Sequence, residues 1–516
     1  MGSLTEPVQV KEKIDLAEKE KQIFDLLLAV VRHFNLKTTL RVAGGWVRDK
    51  LLGQECHDVD IALDNMLGRE FCEKVNEYLL ITGEEKQKRY SIHRNPDQSK
   101  HLETENMSLF GEQIDFVNLR SENYSENSRF PIMKFGGAEE DAYRRDLTIN
   151  SLFYNIHSKS VEDFTGRGLA DLKFGKIVTP LPPKYTFLDD PLRVLRAIRF
   201  GAKFGFVLDE ELKKAAASDE VKAAIVGKVS RERIGKEIDL MISGNDPVRA
   251  MIYICDLQLF WVVFSVPREF EHIIFEGCNR LCVHYVSAAW SLLQVVGFET
   301  FHEEQRKLYL FGALFLPLGE LQCANRIVGH ILRNSPKGAK DANNVIRLHK
   351  ASEKILSVIP SMTSDNIEHV LEDSELLVSV TSRQLIRVEL GFLLLEDREL
   401  ESLWRATLLI SILISSGTDY SHMESFLKTG GELYRRIENT IVDLGLDNVW
   451  KMEKLVDGNV IMSTLQLKQG PRVREWKRRS LRWQLAHRYG TLEECLDWMK
   501  SANIENEKRK HDQSRI

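Results

Sequence analysis

The 516-residue sequence predicts an α+β fold, in which an α/β head near the N-terminus is followed by an all-helical remainder. Short β-rich runs interrupted by turns extend from about Thr38 to Pro183. Long amphipathic stretches with few prolines follow from about Asp190. Because one hydrophobic core rarely serves so long a chain, we predict several packed segments. They are an N-terminal helical extension at 1–37, the head at 38–185, a helical neck at 186–270, and a helical body and tail at 271–516.

The composition is that of an ordinary folded protein, with 43% apolar and 28% charged residues. No apolar run approaches the roughly 20 residues that cross a bilayer, so we expect no membrane partner. The first Arg is Arg32 and the preceding segment is acidic, unlike a transit peptide. This pattern predicts the cytoplasm or nucleus. A mitochondrion or plastid would be reached by longer forms with an upstream start.

Cysteine spacing and net charge narrow the chemistry. Among the seven cysteines, Cys278 and Cys282 lie four residues apart without a second Cys/His pair, so we predict reduced, structural thiols and no zinc site. The formal net charge of −5 gives no global attraction to a polyanion. Any nucleic acid must therefore be held by local clusters of Lys and Arg.

A glycine turn follows the first β-rich run of the head. Four such runs are predicted: Thr39–Ala43, Val59–Leu63, Ile114–Asn118 and Leu152–Asn155. Gly44 and Gly45 let the backbone approach a phosphate closely, and the N–H groups that open the next helix face it. Arg48, one turn later, would add a charge-assisted contact. The alternative is a glycine pair that merely turns the chain.

Two carboxylates follow within the next strand. Asp58 and Asp60 are residues i and i+2, so they project from one face. Like charges this close repel unless a cation lies between them, and Mg²⁺ prefers oxygen ligands. The pair therefore predicts a Mg²⁺ site facing the glycine turn, with Asp115 as a weaker candidate for a third carboxylate. The alternative is a solvated strand edge.

At these residues the chain resembles the class II tRNA nucleotidyltransferases, or CCA-adding enzymes, of the polymerase β-like nucleotidyltransferase superfamily. Five motifs occur in family order: Gly44–Asp60, Arg144–Asn150, Asp163–Leu172, Asp189–Phe200 and Ser230–Glu237. Asn95–Thr104 and Trp483–Leu485 resemble eukaryotic members. The resemblance implies a nucleotidyltransferase head that adds CCA to the 3′ end of tRNA from CTP and ATP by two-metal phosphoryl transfer. It implies no DNA partner and leaves monomer or homodimer undecided.

The fourth motif also has a physical interpretation. Asp190 and Arg193, three residues apart on a predicted helix, would face one planar base. A carboxylate beside a guanidinium complements the amino donor and ring-nitrogen acceptor of cytosine and adenine. Uracil and guanine present the opposite order and would leave polar groups unpaired. The alternative is an intrahelical ion pair.

The resemblance further implies nucleotide contacts by Arg145, Arg196 and Arg199, and a contact between Asp146 and the ribose 2′-OH. A row of guanidiniums suits a triphosphate or an RNA backbone. The alternatives are a solvated basic face for Arg196 and Arg199, and an ion pair at a helix N-terminus for Arg145 and Asp146.

Near the C-terminus, basic residues alternate with Trp476 and Trp483. Such a stretch can hold phosphates with little sequence readout, which predicts a tRNA contact. The basic residues are Arg472, Arg474, Lys477, Arg478, Arg479 and Arg482. The alternative is a solvated helical face over core tryptophans.

Two other functions remain open at this level. A poly(A) polymerase of the bacterial kind shares the head motifs. A non-catalytic RNA-binding protein of the same fold is the second, although the presence of both Asp58 and Asp60 argues against it.

Overall fold

The structure is a computed structural model. It describes residues 8–92, 104–123, 132–319, 324–333, 338–363, 382–396, 403–415 and 423–513. The stretch from Asn95 that resembles eukaryotic members lies, except for Thr104, outside the described residues. The chain divides into two compact units, Met1–Val263 and Phe264–Ile516. The finer boundaries after residues 37, 185 and 270 stay predictions.

The first unit contains a seven-stranded mixed sheet in the order β3-β4-β5-β2-β1-β8-β9. The described strands of this unit, including the separate pairs β6-β7 and β10-β11, are β1 Leu40–Ala43, β2 Val59–Leu63, β3 Arg89–Ile92, β4 Thr104–Leu109, β5 Glu112–Asn118, β6 Arg120–Asn123, β7 Ile132–Phe135, β8 Phe153–Asn155, β9 Ser160–Glu162, β10 Lys176–Ile177 and β11 Val207–Leu208. The four predicted runs correspond to β1, β2, β5 and β8. Strand β2 pairs parallel with β5, and β1 lies antiparallel to β2 and β8.

Helices cover this sheet and complete the first unit. They are α1 Glu18–His33, α2 Gly45–Leu51, α3 Gly68–Ile81, α4 Ala138–Tyr143, α5 Gly168–Lys173, α6 Pro183–Asp189, α7 Leu192–Phe204, α8 Glu210–Ala216, α9 Asp219–Lys228, α10 Arg231–Ile242, α11 Pro247–Asp256 and α12 Phe260–Val263. Trp46 of α2 is buried against Phe24 of α1 and Tyr154 of β8, which anchors the glycine turn to the sheet.

The described elements of the second unit are helical. Its α-helices are α13 Cys278–Val296, α14 Glu303–Leu314, α15 Leu316–Gly319, α16 Ala324–Arg333, α17 Gly338–Thr363, α18 Ser382–Glu396, α19 Trp404–Ser415, α20 Met423–Asp443, α21 Gly458–Leu465, α22 Pro471–Ala486 and α23 Leu492–Gln513. An α/β head followed by a helical remainder confirms the predicted fold class. No helix in the described part of the chain is long and apolar enough to cross a membrane.

The helix α22 shows how the sequence orders this unit. Its apolar side chains Val473, Trp476 and Trp483 are buried with Cys495 and Met499 in one cluster. Pro471 occupies the first turn, where its missing N–H leaves no hydrogen bond unmade. Because the apolar residues recur at helical spacing, Arg472, Arg474, Lys477 and Arg478 among them are exposed.

Helix α3 begins where it contacts the sheet most closely. A Cβ added at Gly68 would lie 2.8 Å from the Phe116 carbonyl oxygen and 3.2 Å from the Phe116 Cβ. We expect Gly68→Ala to lower the free energy of unfolding by about 1–3 kcal/mol, because backbone must move to admit the methyl group. The measurement is chemical denaturation of the full chain.

Gly227→Ala is the matched control. Gly227 lies within α9, and a Cβ there would meet no atom of the described residues within 4 Å. Alanine should leave the stability unchanged or raise it by up to about 1 kcal/mol, because it favours helix. Equal stability of the two variants would contradict the close contact at Gly68.

Candidate active site

Three carboxylates meet on the central strands of the sheet. Asp60 of β2 is the register partner of Asp115 of β5, and Asp58 immediately precedes β2. One carboxylate oxygen from each residue lies within 4.8 Å of the other two. Asp58 is exposed, whereas Asp60 and Asp115 are half-buried. The structure therefore joins the weaker candidate Asp115 to the predicted pair.

Burial and mutual repulsion change the chemistry of this triad. Burial, and after it the negative charges of Asp58 and Asp115, raise the pKa of Asp60 to about 7, against the positive charge of Arg145, which lowers it. The Asn106 amide on β4 donates to Asp115 Oδ1 at 2.7 Å, which holds that carboxylate in place. Asn106 is a positioning residue that the sequence reasoning missed, since only the pairing of β4 with β5 brings it there.

The donor set of the triad fits a divalent cation. It offers only carboxylate oxygens, which are the ligands Mg²⁺ prefers. A cation among them would remove the repulsion that raises the pKa of Asp60. Asp58, Asp60 and Asp115 are therefore the residues that would hold the metal.

The glycine turn brings Arg145 close to the backbone. Gly44 has φ +72°, and a Cβ there would lie 2.6 Å from Arg145 Nη1. Arg145 donates from Nε to Asp141 Oδ2 at 2.9 Å and from Nη1 to the Asn150 carbonyl at 3.2 Å. Its guanidinium also lies 5.0 Å from the centre of the Phe153 ring. A glycine at position 44 is thus required both by the turn and by the arginine that packs on it.

Arg48 lies inside the protein. Its side chain is 5% exposed, and Nε donates to Asp49 Oδ1 at 2.7 Å. Nη1 donates to the side-chain oxygen of Asn150, and the guanidinium lies 4.9 and 4.8 Å from the ring centres of Phe200 and Phe204. These contacts suit a residue that positions α2 against α7. The predicted phosphate contact of Arg48 and of Gly45, the first residue of α2, stays a prediction.

Asp146 forms a buried ion pair with Arg196. Its carboxylate accepts from Arg196 Nε at 2.7 Å, from Asn150 Nδ2 at 3.0 Å and from the Leu147 N–H at 2.9 Å. Burial alone would raise the pKa of Asp146, but Arg196 and these hydrogen bonds hold it at about 2. The ion-pair alternative therefore describes Asp146, although its partner comes from α7. Contact with a ribose stays a prediction.

Asp190 does not lie on a helix with Arg193, and that expectation is wrong. Helix α6 ends at Asp189, Asp190 is extended with φ −128° and ψ 98°, and α7 begins at Leu192. The physical reason is Pro191, because the residue before a proline is disfavoured in the helical region.

Asp190 and Arg193 also have separate partners. Asp190 Oδ2 lies 3.4 Å from Arg233 Nη2, and Oδ1 accepts from the Leu192 N–H at 3.2 Å. Arg193 pairs with Asp189 at 3.3 Å and donates to the Arg144 carbonyl at 2.8 Å. These pairings replace the intrahelical ion pair that was the alternative.

Arg199 completes this row of paired charges. Its Nε donates to Glu237 Oε2 of α10 at 2.6 Å, and its guanidinium lies 4.3 Å from the Phe200 ring centre. Arg233 and Glu237, four residues apart on α10, thus hold two residues of the fourth motif. Both lie in the fifth motif, Ser230–Glu237, to which the sequence analysis gave no role. Opposite charges four residues apart on one helix face could have indicated from the sequence that both residues face charged neighbours.

The basic stretch of the second unit lies on α22. Arg472, Arg474, Lys477 and Arg478 are exposed, and Arg479 and Arg482 are half-buried. Arg479 lies 4.4 Å from the Trp476 ring centre, and Arg478 and Arg482 lie 5.3 and 5.1 Å from that of Phe392 on α18. The tryptophans are core residues, as expected from the alternative of a solvated helical face over core tryptophans. The exposed cations of this face are accessible to phosphates.

Comparisons with known proteins identify the family of the chain. Residues 40–178 match the family model described as the Poly A polymerase head domain. The matched sheet, with its carboxylate triad and glycine turn, defines a nucleotidyltransferase. The chain is 35% identical to the mitochondrial CCA tRNA nucleotidyltransferase of Saccharomyces cerevisiae, over 95% of this chain and 94% of that protein. The chain belongs to the CCA tRNA nucleotidyltransferase family, which confirms the resemblance and the enzyme class.

Solved structures share the fold of the chain. The Bacillus stearothermophilus CCA-adding enzyme in complex with CTP matches with a TM-score of 0.62 at 19% identity, covering 96% of this chain and 100% of that one. The Thermotoga maritima CCA-adding enzyme complexed with tRNA matches with a TM-score of 0.56 at 18% identity, covering 94% and 96%. At these identities the likeness concerns the fold.

The raised pKa of Asp60 predicts a specific pH dependence of stability. Because this pKa is about 7 when folded and 3.8 ordinarily, the folded state holds a proton that the unfolded chain releases between these values. The free energy of unfolding of the metal-free protein should therefore fall as pH rises through that window. Asp60→Asn should weaken this fall. Denaturation in a chelator at a series of pH values measures it.

Asp219→Asn is the control, since the Asp219 side chain is 100% exposed. It should show the wild-type pH profile. Added Mg²⁺ should stabilise the wild type and the control at pH above 7 more than Asp60→Asn. A wild-type pH profile in Asp60→Asn would contradict the proposed charge state of the triad.

Proposed function

We propose that the chain adds CCA to the 3′ end of tRNA, using CTP and ATP without a nucleic-acid template. The observation that carries the proposal is the triad of Asp58, Asp60 and Asp115 beside the turn that holds Arg145. It lies in a chain related over nearly its whole length to an enzyme named for CCA. Because the relationship extends well beyond residues 40–178, it favours this activity over poly(A) synthesis.

The reaction is an in-line transfer of a nucleotidyl group. The 3′-hydroxyl of the tRNA attacks the α-phosphorus of CTP, and later of ATP, so that an O3′–P bond forms. The bond from the α-phosphorus to the bridging oxygen breaks, pyrophosphate leaves, and the hydroxyl proton is released to water. When bound to the triad, two Mg²⁺ ions would lower the pKa of the hydroxyl and stabilise the leaving oxygens. No covalent enzyme intermediate is required.

The phosphates of the nucleotide are assigned to the groups around the glycine turn. Gly44 and Gly45 offer backbone N–H groups at the start of α2. Arg145 lies against this turn, and its positive charge lowers the pKa of Asp60. Arg196 and Arg199 supply further guanidinium donors from α7. Each arginine already has a carboxylate partner, which orients its remaining donors before the nucleotide arrives.

Two further site residues, Asp146 and Arg48, are assigned to the sugar and to the phosphates of the nucleotide. Asp146 is assigned to the ribose 2′-OH, with its carboxylate oriented by Arg196 and Asn150. Arg48 is assigned to the phosphates, and its contact with Asn150 also links the glycine turn to Asp146. Arg48 therefore serves every nucleotide alike.

Base selection is assigned to Asp190 and Arg193. The Asp190 carboxylate would accept from the amino group that cytosine and adenine share, and Arg193 would donate to the adjacent ring nitrogen. The Asp190 side chain is 34% exposed, so it is accessible to a base, and Arg233 orients it. The extended backbone at Asp190 leaves its carboxylate free of the rotamer limits of a helix.

The RNA is assigned to the outward cations of α22. Arg472, Arg474, Lys477, Arg478, Arg479 and Arg482 would contact the sugar-phosphate backbone of the tRNA.

The Saccharomyces cerevisiae relative is named as mitochondrial, so we include the mitochondrion with the cytoplasm and nucleus as sites of action. A plastid form would need a targeting segment of its own.

The deciding experiment supplies a tRNA that lacks CCA with each labelled nucleoside triphosphate in turn. Wild-type protein should add two C residues and then one A, resolved at single-nucleotide length. Asp58→Ala and Asp60→Ala should abolish incorporation of both nucleotides, while the Kd for tRNA stays within a few-fold of wild type. The reason is that the triad serves every chemical step but little of the RNA surface.

Asp64→Asn is the matched control for the triad. Asp64 follows β2 directly, but its carboxylate accepts from the Thr39 N–H at 3.0 Å and lies 3.7 Å from Arg41. The control should retain addition. A long A tract made without CTP would assign the chain to poly(A) synthesis, and RNA binding without any addition would make it a non-catalytic binder.

Asp190→Ala should relax the choice of nucleotide. Cytosine and adenine would lose a charge-assisted hydrogen bond of about 1.5–3 kcal/mol, and uracil and guanine would lose a repulsive contact. The measurement is kcat/KM for the four nucleotides on tRNA ending before CCA and on tRNA ending in CC. The C:U and A:G ratios should both fall.

Arg48→Lys is the control for selection, since it keeps a cation and alters a residue that touches no base in the proposal. It should lower kcat/KM for all four nucleotides by a similar factor. Wild-type ratios in Asp190→Ala, accompanied by lost activity, would show that Asp190 acts only through its pairing with Arg233.

A further inference from the structure

The second unit contains a cavity of about 520 Å³ that the proposed chemistry does not use. Its walls include Arg383 and Arg387 of α18, Arg488 and Tyr489 just after α22, and the Leu444 segment after α20. A volume of several hundred cubic ångströms is typical of sites for small organic ligands. Three guanidinium groups and an aromatic ring line this one cavity, which is a composition suited to an anionic ligand with a planar ring.

The arginines converge on the cavity with like charge. Arg387 is buried, and its guanidinium donates to the Leu444 carbonyl at 2.9 Å and to the Leu485 carbonyl. Burial lowers the pKa of Arg387, and the positive charge of Arg488 lowers it further. An anion in the cavity would relieve this repulsion.

Arg383 and Arg488 remain available to such an anion. Both are exposed, and neither forms an ion pair with the part of the chain that the structure describes. The walls also include two acids: Glu494 accepts from the Thr491 N–H at 2.8 Å at the start of α23, and Asp443 is exposed at the end of α20. Arg488 packs directly on Gly445, where a Cβ would lie 2.5 Å from Nη2, so its guanidinium is held beside the cavity.

Tyr489 gives the cavity a second kind of contact. Its side chain is 87% exposed, the highest value among the exposed large apolar residues of the described chain. The Arg488 guanidinium lies 5.7 Å from its ring centre. An exposed aromatic ring beside a cation is the arrangement on which proteins stack the bases of single-stranded nucleic acids while binding the adjoining phosphate.

The cavity also continues the basic face of α22. Helix α22 ends at Ala486, and Arg488 follows two residues later. Gln384 of α18 donates to the Ala486 carbonyl at 3.3 Å, which fixes the end of α22 to the cavity wall. A strand of RNA that follows the outward cations of α22 to the end of the helix would therefore meet the cavity, whose walls include Ala486.

We propose that this cavity binds one unpaired nucleotide of the RNA substrate, with its phosphate on Arg383 and Arg488 and its base stacked on Tyr489. The proposal rests on the proposed function, because that function supplies the RNA. The shared chemistry is a phosphorylated nucleoside, and a free nucleotide is the other source of it. The RNA is favoured because the cavity is continuous with the basic face of α22.

The test compares full-length variants for binding of a labelled tRNA that lacks CCA, at several salt concentrations. Arg488→Gln should raise the Kd about five-fold and reduce the salt slope by about 1, because one phosphate contact is lost. Tyr489→Ala should raise the Kd about ten-fold with an unchanged slope, because stacking is uncharged. Tyr489→Phe should retain wild-type affinity, because it keeps the ring.

Arg280→Gln is the matched control, since Arg280 is an exposed arginine on α13 of the same unit. Its Kd should stay within about two-fold of wild type, because salt screens the loss of a single exposed surface charge. Arg387 is left intact because it links two helix ends. Thermal unfolding of each variant checks that the fold is retained. Unchanged affinity in both Arg488→Gln and Tyr489→Ala, or an equal loss in Arg280→Gln, would overturn the proposal.

A second arm separates the two sources of nucleotide. Binding of labelled ATP should be the same for wild type and Tyr489→Ala. If Tyr489→Ala weakens ATP binding but leaves tRNA binding unchanged, the cavity serves a free nucleotide and the RNA proposal fails. CCA addition at saturating tRNA is measured in parallel. Its persistence with unaltered tRNA affinity removes only this inference, whereas its absence in wild type removes the proposed function.

Discussion

The parallel pairing of β2 with β5 is the constraint on which the active site depends. It places Asp60 directly opposite Asp115 and therefore forces carboxylates together that repel one another. Two features offset this cost in the described structure. Arg145 brings a positive charge to one side, and Asn106 fixes Asp115 from the next strand. A divalent cation would relieve the remaining repulsion, so the pairing that costs the sheet stability is also the one that would favour a bound metal.

Around this triad, each arginine is paired with a carboxylate from another segment. Arg145 pairs with Asp141, Arg196 with Asp146, and Arg199 with Glu237. Burying such charges costs desolvation free energy, so the pairs add little to stability. Their main effect is to fix the direction of each guanidinium. A guanidinium has five donors, so one partner leaves others for a ligand. A nucleotide would then meet donors that are already ordered, which lowers the entropy lost on binding.

Sequence alone was sufficient for the elements whose determinants are local. Periodicity located β1, β2, β5 and β8, and the i,i+2 rule joined Asp58 to Asp60. The sequence made Asp115 only a weaker candidate, because the register between β2 and β5, more than 50 residues apart in the chain, is a tertiary property. Asp190 was wrongly assigned to a helix, although Pro191 carried the signal to end it. The burial of Arg48 depends on α7 packing over α2, which no local pattern reveals.

On α22 the two interpretations of the basic stretch are parts of one arrangement. Burial of Trp476 and Trp483 fixes which face of the helix turns inward, and the cations between them must then turn outward. A solvated face and a phosphate-binding face therefore have the same sequence pattern. The two kinds of face differ in the spacing of their charges. Like charges on a solvated face are spaced apart, whereas like charges in a phosphate-binding site lie close together. Arg387 and Arg488 instead lie close enough for one charge to lower the pKa of the other, around a cavity with an exposed aromatic ring. Solvation alone gives no reason for that placement, whereas an anionic, stacked ligand does.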